Sequence, residues 1–116
     1  MKSAAQFHIV LVTAPSRKSA RLLAKSALHA RLAACANLIS GVESHYWWRG
    51  RVESGAEVLV IFKTIKRHLR QLEKLVLVKH PYDTPEFVVL PLAAGHERYL
   101  DWLAQSVRKS PGNRSF

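Results

Sequence analysis

The sequence predicts an α+β domain: one antiparallel sheet of four strands, two helices crossing the same face of it, and a third helix after the last strand. Three observations predict this class. Short β-branched runs alternate with segments whose apolar residues recur at i, i+3 and i+4. Two extended runs follow one another with only a glycine-bearing turn between them. A last amphipathic segment follows the final apolar run, before a tail with no period.

Phe7 to Val12 (FHIVLV) is short, β-branched and bounded by TAPS, the pattern of a buried strand. Pro15 cannot continue a strand ladder, and the Ser16 hydroxyl is placed to cap a helix. Ala20, Leu23, Ala24, Ala27 and Leu28 then form one apolar stripe, with Arg17, Lys18, Arg21 and Lys25 falling mostly on the other side. From Ala33 to Thr64 the chain reads as a long hairpin. AACANLI is a small-residue strand, Gly41 a bend or bulge, VESHYWW its extension, Arg49-Gly50-Arg51 the turn and EVLVIFKT the return strand. Thr64 is placed to cap a second helix, whose stripe is Ile65, Leu69, Leu72, Leu75 and Val76, with Lys66, Arg67, Arg70 and Lys74 outside. FVVLPL is a fourth strand that Pro91 confines to an edge or a strand end. Residues 95–107 form a third helix carrying Tyr99, Leu100, Leu103 and Val107.

The resulting β-α-β-β-α-β order is the ferredoxin-like arrangement, here with an elongated hairpin between its second and third strands and an added C-terminal helix. It creates a packing problem. VLVIF and FVVL are apolar on both faces, yet the crossover helices cover one; an antiparallel sheet meets water only where its residues alternate with polar ones. Another subunit is the economical cover.

The chain has 116 residues, 48% of them apolar, which suits one domain over 1–108 followed by a basic flexible tail at 109–116. No apolar run is long enough to span a bilayer, and MKSAAQFHIVLVTAPS makes a poor secretory signal. Cys35 is the single cysteine, so no intrachain disulfide forms, which is read as a cytoplasmic setting. Eighteen Lys and Arg against eight acids give a formal charge of +10, a balance that favours contact with polyanions such as RNA. The basic helix faces (Arg17, Lys18, Arg21, Lys25; Lys66, Arg67, Arg70, Lys74) are the surface for such weak binding.

Several motifs occur in order: Thr13-Ala14-Pro15; Leu32-Ala33-Ala34-Cys35-Ala36-Asn37; Ser44, Tyr46, Trp48 and Gly50-Arg51; Glu57 through Lys63-Thr64; His80-Pro81-Tyr82 with Pro85-Glu86; and Tyr99-Leu100 with Trp102. In this the chain resembles the CutA divalent-cation tolerance family over residues of about 7–107. The resemblance implies a ferredoxin-like subunit, a compact homotrimer whose sheets pack together, and a binding or regulatory role in tolerance of divalent metal ions. Copper binding is proposed for some members, through ligands that include a cysteine just before Thr-Ala-Pro and a His-His pair before Pro-Tyr. This chain has Val12 and Lys79-His80 there. Thiolate and imidazole suit copper; valine and a protonated amine do not. His80 is the one candidate ligand left in that motif, for a weakly held divalent metal such as copper.

Within Lys79–Glu86 (KHPYDTPE), the simplest role of His80 is a backbone-bonded imidazole ending the second helix, with Pro81 and Pro85 setting an extended path. Cys35 among alanines reads as a small buried hydrophobe. Tyr46, Trp48, Lys63, Tyr82 and Glu86 are candidates for a pocket between subunits. An enzyme acting in such a cleft is the third class considered, beside the metal-response and polyanion readings. No Gly-rich phosphate loop, HExxH, CxxC pair or nucleophile elbow is present, so the expectation is a protein without catalysis.

Overall fold

The computed structural model describes residues 1–108; the tail expected at 109–116 lies outside the described residues. Its elements are β1 (Lys2–Ser3), β2 (Phe7–Ala14), α1 (Arg17–His29), β3 (Cys35–Trp48), β4 (Arg51–Ile65), a 3-10 turn (Lys66–His68), α2 (Leu69–Lys79), β5 (Val88–Pro91), β6 (Ala94–Gly95) and α3 (Glu97–Ser106). The main sheet has the order β3-β4-β2-β5, every neighbour antiparallel, which is the ferredoxin-like order.

Ser16 caps α1 by accepting the Ser19 N–H at 3.1 Å. The hairpin turns through two residues, Arg49 and Gly50, both at positive φ (50° and 76°), the geometry that matches the twist of paired strands. A register shift between Ile39 and Val42 brackets Gly41, whose φ is 77°. Pro91 sits on edge strand β5, where a missing donor costs no ladder bond within the sheet.

One boundary differs from the sequence reading. Thr64 does not cap a helix: it is the last-but-one residue of β4, fully buried, and its hydroxyl donates to the Leu32 carbonyl at 2.6 Å. Strand alternation carries it into the core, where that carbonyl satisfies it. α2 begins at Leu69, after the 3-10 turn. The β1–β6 pairing, two residues long, was not expected from the sequence.

Val10, Val12 and Ala14 of β2 and Val58, Val60 and Phe62 of β4 meet Ala20, Leu23 and Ala27 of α1 and Leu72 and Val76 of α2 in the main core. Alternation sends Ile9, Leu11, Leu59 and Ile61 to the opposite face. There α3 covers one end, packing Leu100 and Leu103 on Phe7 and Ile65. The rest of that face stays open: Ile39, Val88 and Leu90 are each about half exposed. Among the described residues no helix is long and apolar enough to cross a membrane.

Candidate functional site

The segment after α2 is held by one histidine. His80 is 7% exposed, and its backbone N–H closes the helix on the Val76 carbonyl at 2.8 Å. Its Nε2 lies 2.7 Å from the Thr13 carbonyl, and its Nδ1 accepts the Tyr82 N–H at 3.1 Å. A carbonyl only accepts and an amide N–H only donates, so this network assigns the hydrogen to Nε2. Both ring nitrogens are thereby occupied by backbone. The ring also lies 4.7 Å from that of Tyr82. His80 therefore fastens β2 to the loop and sets where Tyr82 stands.

Tyr82 forms one wall of a recess of about 840 Å³ at the end of the open sheet face, with Tyr46 and Trp48 of β3 on another side. Its hydroxyl donates to Glu57 Oε2 at 3.0 Å. Burial, the Glu57 hydrogen bond and the nearby negative charge push the phenol up to about 12. Glu86 is raised above its ordinary value as well, first by burial and then by the charge of Glu57. Glu43 and Asp83 complete the acidic lining, and Glu43 is 2.7 Å from His45 Nε2. Four of the chain's eight acids thus line one recess of a protein with a formal charge of +10.

Of the residues singled out for a pocket, Tyr46, Trp48, Tyr82 and Glu86 come together here; Lys63 does not. Lys63 pairs across the sheet with Ile9 and Cys35, and its Nζ lies 5.7 Å from the Tyr99 ring centroid. Glu57 and Glu43 were missed as site residues. A signal for Glu57 existed: the two-residue turn pairs Trp48 with Arg51, and the register running back from it sets Glu57 opposite Val42 at the base of the hairpin.

The basic residues divide differently from the two helix faces expected. Arg17, Lys18, Arg21 and Lys25 are all exposed along α1, where Arg17 Nε donates to Ser40 Oγ on β3 at 3.0 Å. Lys66, Arg67 and Arg70 instead line a second recess, of about 690 Å³, that Arg108 closes from the end of α3. Lys74 is exposed farther along α2.

Among the described residues no three His, Cys, Asp or Glu side chains group at metal-ligand spacing. Binding a metal at His80 requires giving up the Thr13 or the Tyr82 backbone bond. Cys35 is half-buried on β3, with its Sγ 3.6 Å from Asn37 Oδ1.

The model of the CutA1 divalent ion tolerance protein family matches residues 8–106, which run from the second residue of β2 to the end of α3 and include both walls of the acidic recess. The chain belongs to the CutA1 family. It is 43% identical over 98 residues to the divalent-cation tolerance protein CutA of Thermus thermophilus, covering 84% of this chain and 95% of that one. It is 43% identical over 102 residues to the chloroplastic CutA 1 protein of rice, covering 88% of this chain but only 58% of the rice protein. The chain thus spans little more than half of that plant relative. Among solved structures, rice CutA1 superposes with a TM-score of 0.87 at 40% identity, covering 94% of this chain and all of that one. The periplasmic divalent cation tolerance protein CutA of Archaeoglobus fulgidus gives 0.86 at 32% identity, over 88% and 99% of the two chains.

These relatives overturn the cytoplasmic assignment. CutA1 proteins are named as chloroplastic in plants and as periplasmic in Archaeoglobus, so the domain is not tied to the cytoplasm. The inference failed because a lone cysteine excludes only an intrachain disulfide, a condition that every compartment satisfies.

Proposed function

We propose that this chain works as a homotrimer with a binding or regulatory role in the response to divalent metal ions, and that its ligand enters the acidic, aromatic recess at a seam between subunits. One observation carries the reading. Thr13 and Glu57, which line the recess, lie by strand alternation on the same sheet face as Leu11 and Leu59. A subunit that covers the open apolar face therefore also borders the recess, so assembly and ligand binding share one boundary. Tyr46 and Trp48, which pair with Glu53 and Arg51 and so share the face of Glu57, are about half exposed and add apolar surface for the same contact. The link to metal tolerance rests on what the relatives are named for.

The role is binding rather than catalysis. Tyr82 is held as a hydrogen-bond donor to Glu57, and a phenol raised to about 12 is no base at neutral pH. His80 is architectural, and copper binds it weakly at most.

Native mass spectrometry of protein purified without a metal-affinity tag tests the assembly and any retained ligand together. The expected species is three chains that stay associated on dilution. Ile61→Glu, which sets a charge on the open face, is expected to shift it toward single chains. A folded monomer of the wild type at micromolar concentration overturns the reading.

A further inference from the structure

The recess between the start of α2 and the end of α3 gathers charge of one sign. Lys66 and Arg67 come from the 3-10 turn, Arg70 from the first turn of α2, and Arg108 from the second residue past α3; all four are exposed. Among the described residues, the other polar side chains lining it are the amides of Gln6 and Gln105, and no acid lines it. Among the described residues the ion pairs are Lys2–Asp101 and His45–Glu43, so none of these four cations has a carboxylate partner there. Glu73, one turn beyond Arg70, makes no such pair with the described residues either.

The backbone behind these cations is fixed. The Lys66 N–H donates to the Gln6 carbonyl at 2.8 Å. Arg31 Nη1 donates to the Ser106 carbonyl at 2.9 Å, and His68 Nε2 stands 2.9 Å from the Val107 carbonyl, as its donor. Two side chains outside the recess, Arg31 and His68, thus tie down the end of α3, leaving the four cations that line it for something else. Four like charges around one concavity repel one another, and a bound polyvalent anion turns that repulsion into attraction. Guanidinium forks fit phosphoryl oxygens in bidentate pairs.

We propose that this recess binds a short phosphate chain, two or three linked phosphoryl groups, through Lys66, Arg67, Arg70 and Arg108. It is a discrete site rather than part of a general basic surface. The binding does not depend on the acidic recess or on trimer assembly.

Calorimetric titration with inorganic tripolyphosphate tests it, in wild type, in Arg67→Ala/Arg70→Ala, and in an α1 control, Arg17→Ala/Lys18→Ala, that removes the same charge. All the replaced side chains are exposed, and circular dichroism checks that the fold persists. One site per chain is expected, weakened at least tenfold by the recess variant and less than twofold by the control. Equal losses in both variants reduce the effect to net charge and overturn the proposal, as does the absence of saturable binding. A nucleoside triphosphate is expected to match tripolyphosphate. A nucleotide that binds where tripolyphosphate does not overturns recognition of the phosphate chain.

Discussion

Two recesses on one small chain carry opposite charge. The one at the hairpin holds four carboxylates and three aromatic rings; the one between α2 and α3 holds four cations and two amides. Their construction differs too. In the acidic recess the polar groups engage one another, Tyr82 with Glu57 and Glu43 with His45, and a buried histidine holds the loop. In the basic recess the order lies in the backbone behind the lining. The formal charge of +10 describes neither site, because a net charge averages over regions that ligands meet separately. The comparison predicts that the acidic recess is sensitive to single substitutions that break its contacts, while the basic one responds mainly to charge.

The largest expected difference comes from His80→Ala. It removes the partner of the Thr13 carbonyl and of the Tyr82 N–H and leaves space under the loop. A buried group left unpaired costs about 1–3 kcal/mol, and water reaching the opened loop recovers part of it, so a loss of ~2–4 kcal/mol is expected in urea unfolding. Tripolyphosphate binding by the folded variant should be unchanged. Copper titration should show the same weak, adventitious uptake in both proteins. A tight stoichiometric copper site lost in the variant would show that the ring is a ligand and not a fastener.

The same contrast explains what could be read in the sequence. Strand and helix patterns are local, so the β-α-β-β-α-β order, the Ser16 cap and the turn at Arg49-Gly50 were legible from neighbouring residues. Thr64 misled because a threonine beside a helical stripe suits a cap as well as a strand end; the Leu32 carbonyl that decides between them comes from another element. The β1–β6 pair is too short for any periodicity to register. In the acidic recess the aromatic residues announced themselves, but Glu57 was seen only as the start of an apolar strand. Its meeting with Tyr82, 25 residues on, depends on the path that His80 imposes on the loop. In the basic recess Lys66, Arg67 and Arg70 looked like the outside of one helix. Arg108 joins them because α3 folds back beside the end of β4, which no local pattern announces.

Tyr82→Phe sharpens the comparison by removing one hydroxyl. The Glu57 bond is partly exposed, so the loss at neutral pH should stay below about 1 kcal/mol. The pH dependence is more telling. The folded phenol sits at about 12, above its ordinary value of 10.0, so folding favours the protonated form. Its contribution is therefore complete below 10 and is lost as pH rises through about 12. Wild type and variant should converge in stability across that window. Ultraviolet titration should show one late-ionising tyrosine in the wild type that is missing from the variant; a curve with no late step would refute the Glu57 contact.

The smallest effect concerns Glu86. Its carboxyl is raised first by burial and second by the Glu57 charge, so replacing the charge alone should undo only part of the rise. NMR titration of Glu86 in Glu57→Gln is expected to move its midpoint down, yet leave it above an ordinary glutamate. The sign also constrains stability. A carboxyl raised on folding prefers its protonated form in the native state, so the native state gains most below the unfolded midpoint and loses that gain as pH rises through the raised one. Glu86→Gln should accordingly be neutral to slightly stabilising at neutral pH, by a few tenths of a kcal/mol at this partly exposed position. A full return of the midpoint in Glu57→Gln would assign the rise to charge alone and make the recess wetter than its lining implies. No movement would mean that the two carboxylates do not share a site, and the acidic recess would lose the feature that most separates it from the basic one.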